Sequence, residues 1–147
     1  MTRNVELIEG GISVDDRGEL TFCNDFDMKS VERFYQVSNH ANQFIRAWHA
    51  HKNESKYVFV SSGTVLVATV QIDDWEKPSK ELKYEKFILS EKTPRILFIP
   101  NGYAHGYKTL TDKAKVIFFS TSSLEKSSKD DYRYDAFYWN PWDVVER

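Results

Sequence analysis

Phe44-Ile45-Arg46-Ala47-Trp48-His49-Ala50-His51 is the stretch on which the fold turns. It alternates, with Phe44, Arg46, Trp48 and Ala50 on one side and Ile45, Ala47, His49 and His51 on the other. A period of two belongs to a β-strand, whose successive side chains leave opposite faces. His49 and His51 therefore share a face and can line one cavity.

The same texture extends in both directions. Asp15-Asp16-Arg17-Gly18 reads as a turn, followed by strand candidates at Glu19–Asn24 and Val31–Val37. Downstream, Tyr57–Ser61, Thr64–Ile72, Tyr84–Ser90, Arg95–Ile99, Ala104–Leu110 and Lys115–Ser120 are rich in β-branched and aromatic residues. Turn signals separate them, notably Ser62-Gly63 and Pro100-Asn101-Gly102, and the charged Asp73–Lys83 reads as a surface loop. Ser122–Asp131 is polar, a loop or a short helix, and the tail Tyr132–Trp142 is aromatic enough to dock on something. No long helical period appears. Many short strands with regular turns predict an all-β sandwich or barrel, with residues 1–147 as one domain.

Composition narrows the function classes. A net charge of −2 with both signs interspersed gives no basic face, so no nucleic-acid partner is expected. One cysteine, Cys23, excludes an internal disulfide and fits a reducing compartment. The start, Met1–Glu6, lacks the apolar stretch of a signal peptide, and no run approaches the ~20 residues of a membrane span. A cytoplasmic protein with no membrane partner is the expectation.

Four histidines carry most of the chemical signal. His40 lies in a polar loop and reads as exposed. His105 follows the Pro100-Asn101-Gly102 turn, which can return the chain so that His105 meets His49 and His51. Their ordinary pKa, near neutrality, suits a base that takes a proton from carbon beside a ketone.

The clusters Arg46–His51 and Pro100–His105, with Gly63, resemble the two motifs of the cupin superfamily, which implies an antiparallel jelly roll. Arg46-Ala47-Trp48-His49, Lys56-Tyr57-Val58 and Ile99–Gly106 are similar to segments of dTDP-4-dehydrorhamnose 3,5-epimerases, as is Asp16-Arg17-Gly18. Arg46-Ala47-Trp48-His49-Ala50-His51-Lys52, Arg33-Phe34-Tyr35 and Asp130–Phe137 resemble the sugar 3,4-ketoisomerases instead. The resemblance implies an enzyme acting on a nucleotide-linked 4-keto-6-deoxy sugar, with no metal or other cofactor. It also implies a homodimer that shares N-terminal strands. By resemblance His49 is the base, Lys56 and His105 support enolate charge, and His51 orients His49 or joins the transfer. Arg46, Arg33 and Arg17 would meet the diphosphate, and Trp48 the substrate.

The acid separates the two branches. The epimerases use a tyrosine thirteen residues after the histidine matching His105, where this chain has Phe118. The ketoisomerases carry a tyrosine matching Tyr35, which is present. The 3,4-ketoisomerase reading is therefore placed first, with 3,5-epimerase as the alternative. A metal-dependent cupin is a further reading, because His49, His51, Glu54 and His105 are ligand types. Against it, Glu54 follows His51 closely, and Lys52 and Lys56 bring positive charge. A non-catalytic sugar-binding cupin is the remaining reading.

Overall fold

The computed structural model describes residues 3–147. Its strands are β1 (Glu6–Glu9), β2 (Gly11–Asp15), β3 (Gly18–Phe22), β4 (Arg33–Val37), β5 (Ile45–Ala50), β6 (Lys56–Ser62), β7 (Thr64–Gln71), β8 (Tyr84–Ser90), β9 (Arg95–Ile99), β10 (Tyr103–Thr109), β11 (Lys115–Ser120) and β12 (Tyr132–Arg133). One short helix, α1 (Leu124–Ser128), follows β11, capped by the Ser123 side chain accepting from the Lys126 amide. No helix among the described residues is long and apolar enough to cross a membrane.

Two five-stranded antiparallel sheets face each other, in the orders β1-β9-β6-β11-β4 and β12-β5-β10-β7-β8. This is the jelly roll of the cupin type. The β2–β3 hairpin forms a separate two-stranded sheet.

Strands such as Thr64–Gln71 are apolar on both faces because both faces are covered. Val65 and Val67 point between the sheets, where they join Val58, Val60, Leu97, Val116 and Phe118. Leu66, Ala68 and Val70 point outward, onto Trp48, Ala50, Trp139 and Trp142. The aromatic tail thus seals the outer face of the second sheet. The Trp48 ring lies 5.4 Å from that of Trp139 and 5.1 Å from that of Trp142, and the Trp142 indole nitrogen donates to the Ala136 carbonyl. The outer face of the first sheet buries Tyr57, Ile96 and Phe98, with half-buried Cys23 packed beside them.

The N-terminal strands β1 and β2 carry little sequence signal. Of the four residues of β1 only Ile8 is even half-buried, since β1 is an edge strand held mainly by backbone pairing to β9.

Candidate active site

A cavity of about 420 Å³ opens between the two sheets. Its walls come from β4 (Arg33, Tyr35), β5 (Arg46, His49), β6 (Lys56), β10 (His105, Tyr107) and β11 (Phe118), with His51 beyond the end of β5. The segment around α1 closes one side through Leu124, Ser127, Asp131 and Arg133.

Strict alternation puts Arg46 on the face opposite His49, yet both line the cavity. The cause is a β-bulge. Tyr107 pairs with Arg46 and His105 with His49, so Gly106 alone opposes both Ala47 and Trp48. The extra residue resets the parity of β5, and Arg46 and His49 come to face the same way. Gly106 is what the bulge demands, for a Cβ there would collide with the Ala47 methyl and crowd the Arg46 carbonyl.

Trp48, next to His49, stays on the opposite face, which corrects its assignment to the substrate. Its indole is fully buried on the outer face of the sheet, with the ring nitrogen donating to the Trp139 carbonyl at 3.2 Å, so it cannot touch a ligand in the cavity. Arg17 also lies outside the cavity. It sits on the β2–β3 hairpin, exposed and paired with Asp15 at 2.6 Å. Tyr35, Arg33, Arg46, His49, His51, Lys56 and His105 are brought together, and His40 is exposed.

His49 and His105 are cross-strand partners, and the His105 ring centroid lies 6.1 Å from both His49 and His51. All three imidazoles are held neutral. Burial pushes His49 down to about 4, helped by the positive charges of Arg133 and Lys56. His51 is lowered by burial and Lys56, and wholly buried His105 falls well below the usual range by burial, Lys56 and the other two histidines. At neutral pH each can accept a proton.

The tautomer of His51 follows from its neighbour. Its Nδ1 lies 2.5 Å from the Asp130 carbonyl, which can only accept, so Nδ1 carries the hydrogen. Nε2 keeps its lone pair and has no partner among the described residues. The Asp130 carboxylate meanwhile accepts from the amides of Lys52, Asn53 and Glu54 at 2.7–3.0 Å, fixing the turn after His51.

Opposite the histidines, the Lys56 ammonium donates to the Tyr35 hydroxyl oxygen at 2.6 Å. That leaves the phenol proton free to be directed elsewhere. Burial, then the charge of Glu54, hold the Tyr35 hydroxyl well above its usual range, so it stays protonated and can act as an acid. Lys56 is lowered by burial, and the attraction of Glu54 is the largest influence opposing that.

Tyr107, Asp131, Arg133 and the serines of α1 are cavity residues that motif reading missed. Tyr107 lies two residues after His105 on the same strand, so alternation could have found it. Arg133 stands opposite His49 only because the chain returns as β12, a two-residue strand with no periodic signal. Glu54 does not line the cavity; its side chain is wholly buried behind it, and among the described residues no group of three or more His, Cys, Asp or Glu side chains is arranged to hold a metal ion.

Comparison with known proteins agrees with this picture. The chain is 29% identical over 132 residues to the spore coat polysaccharide biosynthesis protein SpsL of Bacillus subtilis, covering 88% of this chain and 82% of that one. Its fold is similar to that of a dTDP-4-dehydrorhamnose 3,5-epimerase from Bacillus anthracis with TDP and pyrophosphate bound. The TM-score is 0.77 at 23% identity, over 97% of this chain and 87% of that one. A 3,4-ketoisomerase from Helicobacter canadensis shares the fold with a TM-score of 0.68 at 16% identity, over 92% and 94% of the two chains. The sequence model of the dTDP-4-dehydrorhamnose 3,5-epimerase family matches residues 3–140. On that match the chain belongs to this family of enzymes, epimerases and isomerases of dTDP-linked sugars.

Proposed function

We propose that the chain is a 3,4-ketoisomerase of a dTDP-linked 4-keto-6-deoxy sugar, serving surface polysaccharide biosynthesis. The observation that carries this reading is the Tyr35 hydroxyl, held 2.6 Å from Lys56 inside the cavity and next to the ring of Phe118. It supplies an acid where the epimerase position offers only hydrocarbon.

In this reading His49 removes the proton from C3 of the sugar. The C–H electron pair becomes a C3–C4 double bond, and negative charge develops on O4. Lys56 and His105 donate to that oxygen, where fixed donors in a site shielded from water are most effective. Tyr35 delivers a proton to C4. The C3 hydroxyl loses its proton to the free Nε2 of His51, and O4 takes one from the Lys56 ammonium. Two protons leave C3 and O3 and two arrive at C4 and O4, so no oxidant or reductant is required. Arg46, Arg33 and Arg133 all line the cavity and suit the diphosphate.

The working unit in this reading is a homodimer. Among the described residues the hairpin of β2 and β3 pairs with no other strand, and it leaves Val14 and Leu20 at 72% and 64% exposure, which favours its docking on a second copy. Arg17 would then reach the partner's cavity.

The test is proton NMR of the chelator-treated protein with dTDP-4-keto-6-deoxyglucose in deuterated water. A 3-keto product with deuterium at C4, together with deuterium at C3 of the remaining 4-keto substrate, is the expected result. Deuterium at C3 and C5 of a 4-keto product would instead establish 3,5-epimerisation, the reading that Lys56 and His105 favour.

A further inference from the structure

Glu54 is the most completely buried charged side chain beside the cavity, and neither sugar-enzyme resemblance gives it a role. It lies in the turn Lys52–Ser55, with no side-chain exposure. Its Oε2 accepts from the Ser120 hydroxyl and from Arg33 Nη2 at 3.3 Å, and faces Lys56 Nζ at 3.9 Å. Its Oε1 accepts from the Ser127 hydroxyl at 2.6 Å and lies 3.5 Å from His51 Nδ1. One carboxylate thus accepts from β4, the end of β11 and helix α1, and pairs electrostatically with Lys56 of β6.

Burying a carboxylate is costly, and only a full set of donors makes it tolerable. Here its partners include Lys56, which donates to the Tyr35 hydroxyl oxygen, and Arg33, whose guanidinium lies over the Tyr35 ring. We propose that Glu54 is a positioning residue for proton transfer: it anchors the Lys56 ammonium against the Tyr35 oxygen, so that the phenol proton points to substrate. The proposal rests on the reading of Tyr35 as the acid. Through Ser127 the same carboxylate also ties helix α1, one wall of the cavity, to the acid side of the site.

The charge has a second consequence. Lys56 is faced by Tyr35 and Arg33 of β4, His49 of β5, His51, Glu54, His105 of β10, and Asp131 and Arg133 of the returning chain. Among these, Glu54 is the strongest influence raising Lys56, and it is also the strongest charge raising Tyr35. Removing it lets both groups deprotonate at lower pH.

The experiment compares Glu54→Gln and Glu54→Asp with the wild-type protein. It measures kcat and KM for dTDP-4-keto-6-deoxyglucose from pH 6 to 10, the rate of C3 exchange in deuterated water, and melting. For Glu54→Gln the expected result is kcat lower by about tenfold or more with KM changed less than about threefold. Its alkaline limb should move to lower pH by about one unit or more, while C3 exchange, which depends on His49, persists. Glu54→Asp keeps the charge, so its alkaline limb should stay near the wild-type position. An unshifted limb in a folded Glu54→Gln protein overturns the proposal.

If Glu54→Gln does not fold, nitrogen NMR titration of Lys56 Nζ in the wild-type and Glu54→Asp proteins decides instead. The alkaline limb of kcat must track Lys56 deprotonation in both, and a limb that does not track it overturns the proposal. Tyr35→Phe, assayed alongside, separates the two ideas. Full activity there removes the acid reading itself, whereas an impaired Tyr35→Phe with an unshifted Glu54→Gln removes only the role of Glu54.

Discussion

Tyr35 and Phe118 are cross-strand partners in β4 and β11, with their rings stacked 5.2 Å apart and 13° from parallel. The phenol therefore stands one strand over from the position where the 3,5-epimerases resembled by this sequence carry theirs. Phe118 serves as the platform that fixes the Tyr35 ring. Removal of the hydroxyl alone should leave that stack intact. Tyr35→Phe is expected to lower kcat by roughly 10²-fold or more, as for loss of a general acid, with little change in KM. Steady-state kinetics check this, and an unchanged kcat contradicts it.

With His49 as the proposed base, its depressed basicity should set the acid limb of activity. The base works only when neutral, and burial with the nearby cations Arg133 and Lys56 holds its pKa at about 4. The plot of kcat/KM against pH should therefore stay flat through pH 6.5 and fall only towards pH 4. A midpoint near 6.5, the ordinary histidine value, would show that His49 is not the group titrating.

The same three histidines make the fold sensitive to acid. The unfolded chain takes up their protons near pH 6.5, whereas the folded chain resists until lower pH. In that window the unfolded state binds more protons, so unfolding free energy rises with pH. Melting temperature should drop as pH falls from 6.5 to 4. The drop should be smaller in His105→Gln, which removes the most deeply buried of the three.

Gly106 should tolerate no side chain. A methyl there meets Ala47 across the bulge, so Gly106→Ala either flattens the bulge or splays β5 from β10. Overpacking of this kind costs about 1–3 kcal/mol. Because the bulge is what brings Arg46 and His49 onto one face, KM and kcat should both suffer. A melting curve and kinetics on one preparation test the pair of effects.

Trp48 should behave as a core residue. Trp48→Phe is expected to lower melting temperature with KM near the wild-type value, because its ring packs on Trp139 and Trp142 and not in the cavity. A raised KM at unchanged stability would restore a role in substrate binding.

Much of this was legible in the residues. Alternation, β-rich composition and turn signals located the strands from β4 to β11, and His-x-His with the turn at Pro100–Gly102 brought His49, His51 and His105 to one wall. Two kinds of feature escaped. The bulge at Ala47–Trp48 breaks the period of two within the motif itself, so alternation placed Arg46 and Trp48 together when the fold separates them. Contacts made by returning chain, such as Arg133 opposite His49 and Ser127 on Glu54, depend on distant segments meeting and leave no local pattern. Glu54 was visible as a carboxylate near two histidines, but only the fold shows that it faces Arg33, Lys56 and Ser120 and not the cavity.

The central claim is that His49 removes the C3 proton to form the enolate. The most direct test is the rate of C3 hydrogen–deuterium exchange in dTDP-4-keto-6-deoxyglucose, followed by NMR in deuterated water with wild-type protein and with His49→Asn. Rapid exchange is expected with the wild-type protein, and a loss of about 10³-fold or more in the variant. Exchange at a near wild-type rate in folded His49→Asn would contradict it.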